Sequence, residues 1–167
     1  MPVEYTNCRR DRYYLHEGVT KKGNPKYYFS RKTDGNLCQQ IPDGYEVFED
    51  PNGGVYLQKI QIPLVTASEI EIIRNSIPED VRHKVVSKGK TITIYTAEYT
   101  NYQATMRFIL ANDHPRTFDA QRYCFRGSID DWIHLSSSGN LAELARKCCV
   151  HLGRESFFDL PYMVDGF

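Results

Sequence analysis

Three small groups of residues carry the side-chain types that chemistry needs. Cys148, Cys149 and His151 lie close together near the C-terminus. Thiolate and imidazole are zinc ligands, and a thiolate beside Arg146 and Lys147 is a candidate nucleophile. A structural zinc site needs a second ligand pair, and no such pair occurs at ligand spacing. Cys148 also falls on an apolar stripe, where a free cysteine behaves as a small buried hydrophobe. The basic residues before Cys149 complement the dipole at a helix C-terminus, an end that opposes thiolate formation. Both cysteines therefore read as structural, and no metal is expected.

Asp130 and Asp131 precede Trp132, the single tryptophan. Paired carboxylates can exchange protons or hold a cation, but neighbours on a strand face opposite ways. The two share a site only if the chain turns at Gly127 and Ser128; otherwise they read as turn residues around a packed Trp. Asp113 and His114 resemble half of a catalytic dyad, in a polar loop before Pro115 and Arg116. A catalytic reading needs His114, Asp130, Asp131 and Glu98 to meet in one cleft, because acid–base groups must reach a common substrate. Phosphate cradles are missing: Asn52-Gly53-Gly54 reads as a hairpin turn, and neither G-x-G-x-x-G nor G-x-x-x-x-G-K-[ST] occurs. No cofactor is expected.

Nucleic-acid chemistry has a broader signal. Residues 1–34 carry eight Lys or Arg against four acids, and residues 43–80 carry two against eight. Tyrosines interleave with the basic stretch. Arg12, Tyr14, Lys26, Tyr28 and Lys32 would supply rings for bases and cations for phosphates. The plainer reading is a solvated meander whose charges pair with the acidic segment inside the fold.

The elements that must position these groups are mostly strands. Val, Ile, Thr, Trp, Tyr and Phe make up nearly a third of the 167 residues, and alanine is scarce. Strands are expected at 13–19, 26–32, 45–50 and 55–62, the last two joined by Pro51-Asn52-Gly53-Gly54. Thr66 and Glu69 have capping-box spacing, Val65 and Ile70 that of a hydrophobic staple, and Ile70, Ile73 and Ile77 a helical stripe that Pro78 ends. Strands resume at 85–86, 92–95 and 102–111. In the last, Tyr102, Ala104, Met106, Phe108 and Leu110 point one way and Gln103, Thr105 and Arg107 the other. In the next strand the apolar parity shifts from Phe118 and Ala120 to Tyr123 and Phe125, which predicts a bulge near Gln121. A short strand at 131–135 follows. Asn140 with Glu143 caps a second helix with Leu141, Leu144, Ala145, Cys148 and Leu152 on one face and Gly153 at its end. Phe157, Phe158, Tyr162 and Phe167 suggest a tail that packs back.

The order strands, helix, strands, helix predicts an α+β fold, mainly antiparallel β, with two amphipathic helices packed on the sheet or sheets. The chain reads as a single domain, 1–167. Halves at 1–80 and 81–167 are conceivable, but mismatched internal offsets give no support for a duplication. Five cysteines with no C-x-x-C, and no apolar leader after Met1, point to reduced thiols and a cytoplasmic location. No apolar run is long enough for a membrane helix.

The equal count of 21 basic and 21 acidic residues excludes histone-like and acidic-tail proteins. The expected function is non-catalytic: a binding or accessory protein, first a protein–protein module that meets a partner or itself, using a sheet edge or a Tyr-rich face. The alternative is single-stranded nucleic-acid binding through the basic N-terminal strands, and behind both stands an enzyme with its site on loops.

Overall fold

Alternating apolar residues and glycine turns make this chain a set of antiparallel ladders. The computed structural model describes residues 1–126 and 129–160. The fold is α+β and mainly antiparallel, with ten strands and two α-helices among the described residues. The chain divides into two compact units, Met1–Gln61 and Ile62–Phe167. No helix among the described residues is long and apolar enough to cross a membrane.

In the first unit, β1 (Glu4–Thr6), β2 (Arg12–Val19) and β3 (Pro25–Ser30) form a three-stranded sheet, and β4 (Tyr45–Glu49) with β5 (Val55–Lys59) a two-stranded one. Polar side chains join them: Tyr5 Oη donates to Glu49 Oε1 at 2.7 Å, and Asn7 Nδ2 donates to the Gly53 carbonyl at 2.8 Å. Gly53 has φ +88°, the left-handed conformation its tight turn requires. At Gly54 an added Cβ would sit 2.3 Å from Asp50 Oδ2, since that carboxylate accepts the Asn52 and Gly54 amides.

The second unit carries α1 (Ala67–Ser76), then β6 (His83–Lys88), β7 (Thr91–Glu98), β8 (Asn101–Asp113), β9 (Arg116–Arg126) and β10 (Ile129–Ser138), and then α2 (Leu141–Cys149) and a 3₁₀ turn, Glu155–Asp159. The five strands lie in the order β10-β9-β8-β7-β6. One face holds the core: Ile92, Ile94, Met106, Phe108, Phe118, Ala120 and Leu135 pack with Ile73, Ile77, Leu144, Ala145 and Cys148 of the helices. Helix α1 starts as its sequence dictates, with the Thr66 hydroxyl accepting the Glu69 amide and the Glu69 carboxylate accepting the Thr66 amide. Helix α2 ends at Cys149, a turn earlier than the spacing to Gly153 suggests.

Bulges differ from the sequence reading. β9 keeps strict alternation: Phe118, Ala120, Arg122 and Cys124 are all buried, and it takes no bulge at Gln121. Tyr123 and Phe125 lie on its other face, and a buried arginine occupies the core position. The extra residue opposite Gln121 is Leu135 of β10, between the pairs His134–Gln121 and Ser136–Ala120. β10 is a ten-residue strand, longer than the expected five. β8 has a bulge as well, at Thr105, because Met106 pairs with Ile94 and Ala104 with Tyr95. Tyr102 and Ala104 therefore do not share a face with Met106, Phe108 and Leu110.

Arg116 locks the β8–β9 hairpin to α1. Its Nε and Nη2 grip Glu69 Oε2 and Oε1 at 2.6 and 2.8 Å, its Nη1 reaches Asp113 at 2.7 Å, and its Nη2 also reaches the Leu64 carbonyl at 2.7 Å. The Arg116 hydrogen bonds, followed by the Thr66 amide, hold Glu69 below its ordinary carboxylate pKa against an opposing desolvation. A depressed folded pKa adds stability that is present above the unfolded value and lost as pH falls through the folded one. Urea midpoints should therefore drop on acidification below about pH 4.3, the unfolded glutamate range, and Arg116→Met should flatten that limb. At neutral pH, Thr66→Ala should cost about 1 kcal/mol in the same assay.

Candidate binding face

Register fixes which side chains meet on the face of the five-stranded sheet away from the helices. Val86, Thr93, Arg107, Gln121 and His134 pair in succession across all five strands and form one row. The next row on β9 and β10 is Tyr123 and Trp132. Tyr123 meets Trp132 edge to face at 5.3 Å and lies 4.8 Å from Phe125, which is 46% exposed. The Arg107 guanidinium sits 4.2 Å above the Trp132 ring while its Nε donates to Gln121 Oε1 at 2.7 Å. Burial pulls the Arg107 pKa down, as expected of a cation laid flat against a ring. Lys84 sits 4.6 Å above the Tyr102 ring. The face thus presents rings from β8, β9 and β10 with a cation over two of them.

Sequence reading missed this face because it assigned Tyr123 and Phe125 to the core. The available signal was the odd series Asp119, Gln121, Tyr123, Phe125, which runs in one unbroken period of two.

The catalytic candidates do not converge. His114 lies in the β8–β9 hairpin, 93% exposed and 3.4 Å from Asp113. Asp130 and Asp131 lie near the start of β10, paired with Phe125 and Cys124 at the far end of β9. Eleven residues of β9 separate those two ends, about 34 Å at the usual rise. Asp130 accepts the Tyr123 hydroxyl at 2.8 Å, which raises the Tyr123 pKa. Asp131 faces the other way and accepts the Trp132 amide at 2.7 Å. The turn at Gly127 and Ser128 lies outside the described residues, as do Tyr162 and Phe167. Glu98 closes β7 at the Asp130 end of the sheet, away from His114.

The basic strip in the first unit is partly assembled. Arg12, Tyr14, Lys26 and Tyr28 share a face of the β1–β3 sheet by register. Arg12 is paired with Glu4 at 2.8 Å and bonded to Tyr14, which raises its pKa. Tyr28 stacks on His16 at 5.2 Å, so one side of its ring is taken. Lys32 lies past β3, and its carbonyl accepts His16 Nε2 at 2.9 Å. Lys26 remains exposed.

Cys148 and Cys149 are fully buried. Burial pushes the Cys148 thiol up to about 12 and Cys149 higher still. His151 Nδ1 lies 2.7 Å from Ser156 Oγ, and burial lowers its pKa. Among the described residues, no group of three or more His, Cys, Asp or Glu is placed to hold a metal.

Arg122 is 5% exposed, in a core row with Ile94 and Met106. It donates to three carbonyls: Nε to Leu160 at 3.1 Å, Nη2 to Phe158 at 3.3 Å and Nη1 to Tyr123 at 3.2 Å. Its guanidinium also lies 5.3 Å from the Phe157 ring.

No family model matches the chain, and no curated protein or solved structure matches it.

Two outcomes follow from this geometry. Arg122→Met keeps the apolar stem and removes the donors; it should cost about 1–3 kcal/mol per carbonyl left dry and speed amide exchange across Glu155–Leu160. Unchanged exchange there would refute the pinning role. In the native protein a thiol reagent should modify the exposed Cys8 and leave Cys148 and Cys149 untouched until denaturant is added, because a protonated buried thiol is inert.

Proposed function

We propose that this is a non-catalytic binding protein whose partner, another protein, docks on the β6–β10 face around Arg107, Tyr123, Phe125 and Trp132. The observation that carries the reading is the Arg107–Trp132 stack beside Tyr123 and Phe125 on the sheet face opposite the helices. Trp, Tyr and Arg are the residues that concentrate energy at protein interfaces, since they bring large apolar area with a polar handle and lose little rotamer freedom.

The same composition suits single-stranded nucleic acid, and the local geometry argues against it. A base stacks on an open ring face. Here the face of Trp132 is covered by Arg107 and that of Tyr102 by Lys84. The Asp130 carboxylate at Tyr123 would also repel a phosphate. In the first unit, Arg12 is neutralised by Glu4 and Tyr28 is stacked on one side.

The test compares four tagged chains in affinity capture from native cells: wild type, Trp132→Ala, Arg107→Ala and a Lys26→Ala/Lys32→Ala double variant. A stoichiometric protein should co-purify with wild type and with the lysine double variant. Trp132→Ala should weaken the isolated complex about 30-fold, the effect of a hot-spot loss near 2 kcal/mol. Labelled single-stranded oligonucleotide should not bind at low salt. Equal capture by all four chains would sink the reading, as would oligonucleotide binding that the lysine changes weaken.

A further inference from the structure

The five-stranded sheet divides at one end. The ladder between β8 and β9 begins at the pair Met106–Arg122, while β8 continues along β7 to the pair Asn101–Glu98 and β9 continues along β10 to Arg126–Ile129. The bulge at Thr105 sits at this fork and moves Gln103, with its partner Thr96, onto the face that carries the core. Between these strands and the C-terminal 3₁₀ turn lies a cavity of about 630 Å³. That volume falls within the ordinary range for a small-molecule site.

The lining has a definite chemistry. Phe125, Phe157, Phe158 and Leu152 make it mainly apolar, and Phe157 meets Phe158 edge to face at 5.5 Å. Phe125 and Phe158 are each about half exposed, so both leave ring surface uncovered. Thr105 and Gln103 supply a hydroxyl and a carboxamide. Three charged residues also line it. Arg154 is already neutralised by both oxygens of Asp80, each at 3.1 Å. Glu98 and Glu155 have no cationic partner among the described residues. Among the described residues the charge left over at the cavity is negative, beside aromatic rings.

We infer that this cavity is a binding site for a small aromatic molecule bearing a single cationic amine. The ring packs among Phe125, Phe157 and Phe158. The ammonium lies toward Glu98 and Glu155, where aromatic faces and carboxylates both favour a cation. The site shares Phe125 with the outer face proposed for the protein partner, but its other rings and both of its carboxylates lie outside that face.

The experiment is an amide-resolved NMR titration of the full chain with three probes of matched ring: tryptamine, uncharged 3-methylindole and indole-3-propionate. Tryptamine should give saturable shifts at Gln103, Thr105, Gly153 and Phe157. It should bind about fivefold more tightly than 3-methylindole, the factor that about 1 kcal/mol of exposed ion pairing provides, and the anion should bind least. Glu98→Gln with Glu155→Gln should remove the advantage of the amine while leaving 3-methylindole binding intact. Gln103→Trp fills the cavity from its exposed side and should abolish all three. Thermal midpoints of the variants confirm that each remains folded. The proposal is overturned if no probe saturates at these residues, if the anion binds as tightly as the amine, or if a folded Gln103→Trp protein still binds.

Discussion

Arg122, a guanidinium with no carboxylate partner among the described residues, organises the second unit. Burying a cation costs several kcal/mol unless its donors are met. Here they are met by backbone carbonyls, two of them from the chain's last described turn at Phe158 and Leu160. A 3₁₀ turn leaves its final carbonyls without internal partners and carries partial negative charge there. The cation and the turn end satisfy each other's hydrogen bonding. Because Arg122 occupies the core row with Ile94 and Met106, the 155–160 segment is held against the sheet beside Leu152 and Phe157, which join the same cluster.

In β9 hydrophobicity alone misplaces the side chains. Judged by hydrophobicity, Tyr123 and Phe125 belong inside and Arg122 outside, and only a bulge reconciles them with Phe118 and Ala120. The acceptors that make a buried arginine tolerable come 36 and 38 residues later. No local window contains them. Where the determinants are local, the sequence is legible: the Thr66–Glu69 capping box, the Asn140 cap and the hairpin at Gly53 all form as their spacing implies, and Val65 and Ile70 both pack into or against the core. The α+β class and the antiparallel pairing follow from the same short-range signals. The outer face stayed hidden because its recognition depends on the β9 parity, and that parity depends on Arg122.

The two candidate surfaces also differ in what charge can do. In the first unit, cations are neutralised by carboxylates, Arg12 by Glu4 and Arg31 by Asp11, even though Arg31 also lies 5.7 Å from the Tyr13 ring. Such exposed pairs contribute little stability but lower the field that a polyanion would feel. In the second unit, Arg107 and Lys84 meet rings instead. A cation over a ring keeps its charge while its side chain is held flat, so the side chains of this face are ordered by their own contacts.

The bulges tie these features together. A strand of exact period two can present only one set of residues to the helices. An extra residue at Leu135 keeps both Ala120 and Leu135 in the core while Ser137, on the following stretch, meets Asp119. An extra residue at Thr105 does the opposite work at the forked end. Beyond it, β8 gives its apolar Tyr102 and Ala104 to the outer face and turns Gln103 inward, so the core stops at Met106 and the remaining space is lined by mixed chemistry. Without that single inserted residue, strict alternation would carry Tyr102 and Ala104 beneath the 3₁₀ turn and would leave Lys84 with no ring from β8 to cover. One irregularity in β8 therefore accounts for both the cavity on one side of the sheet and part of the aromatic face on the other.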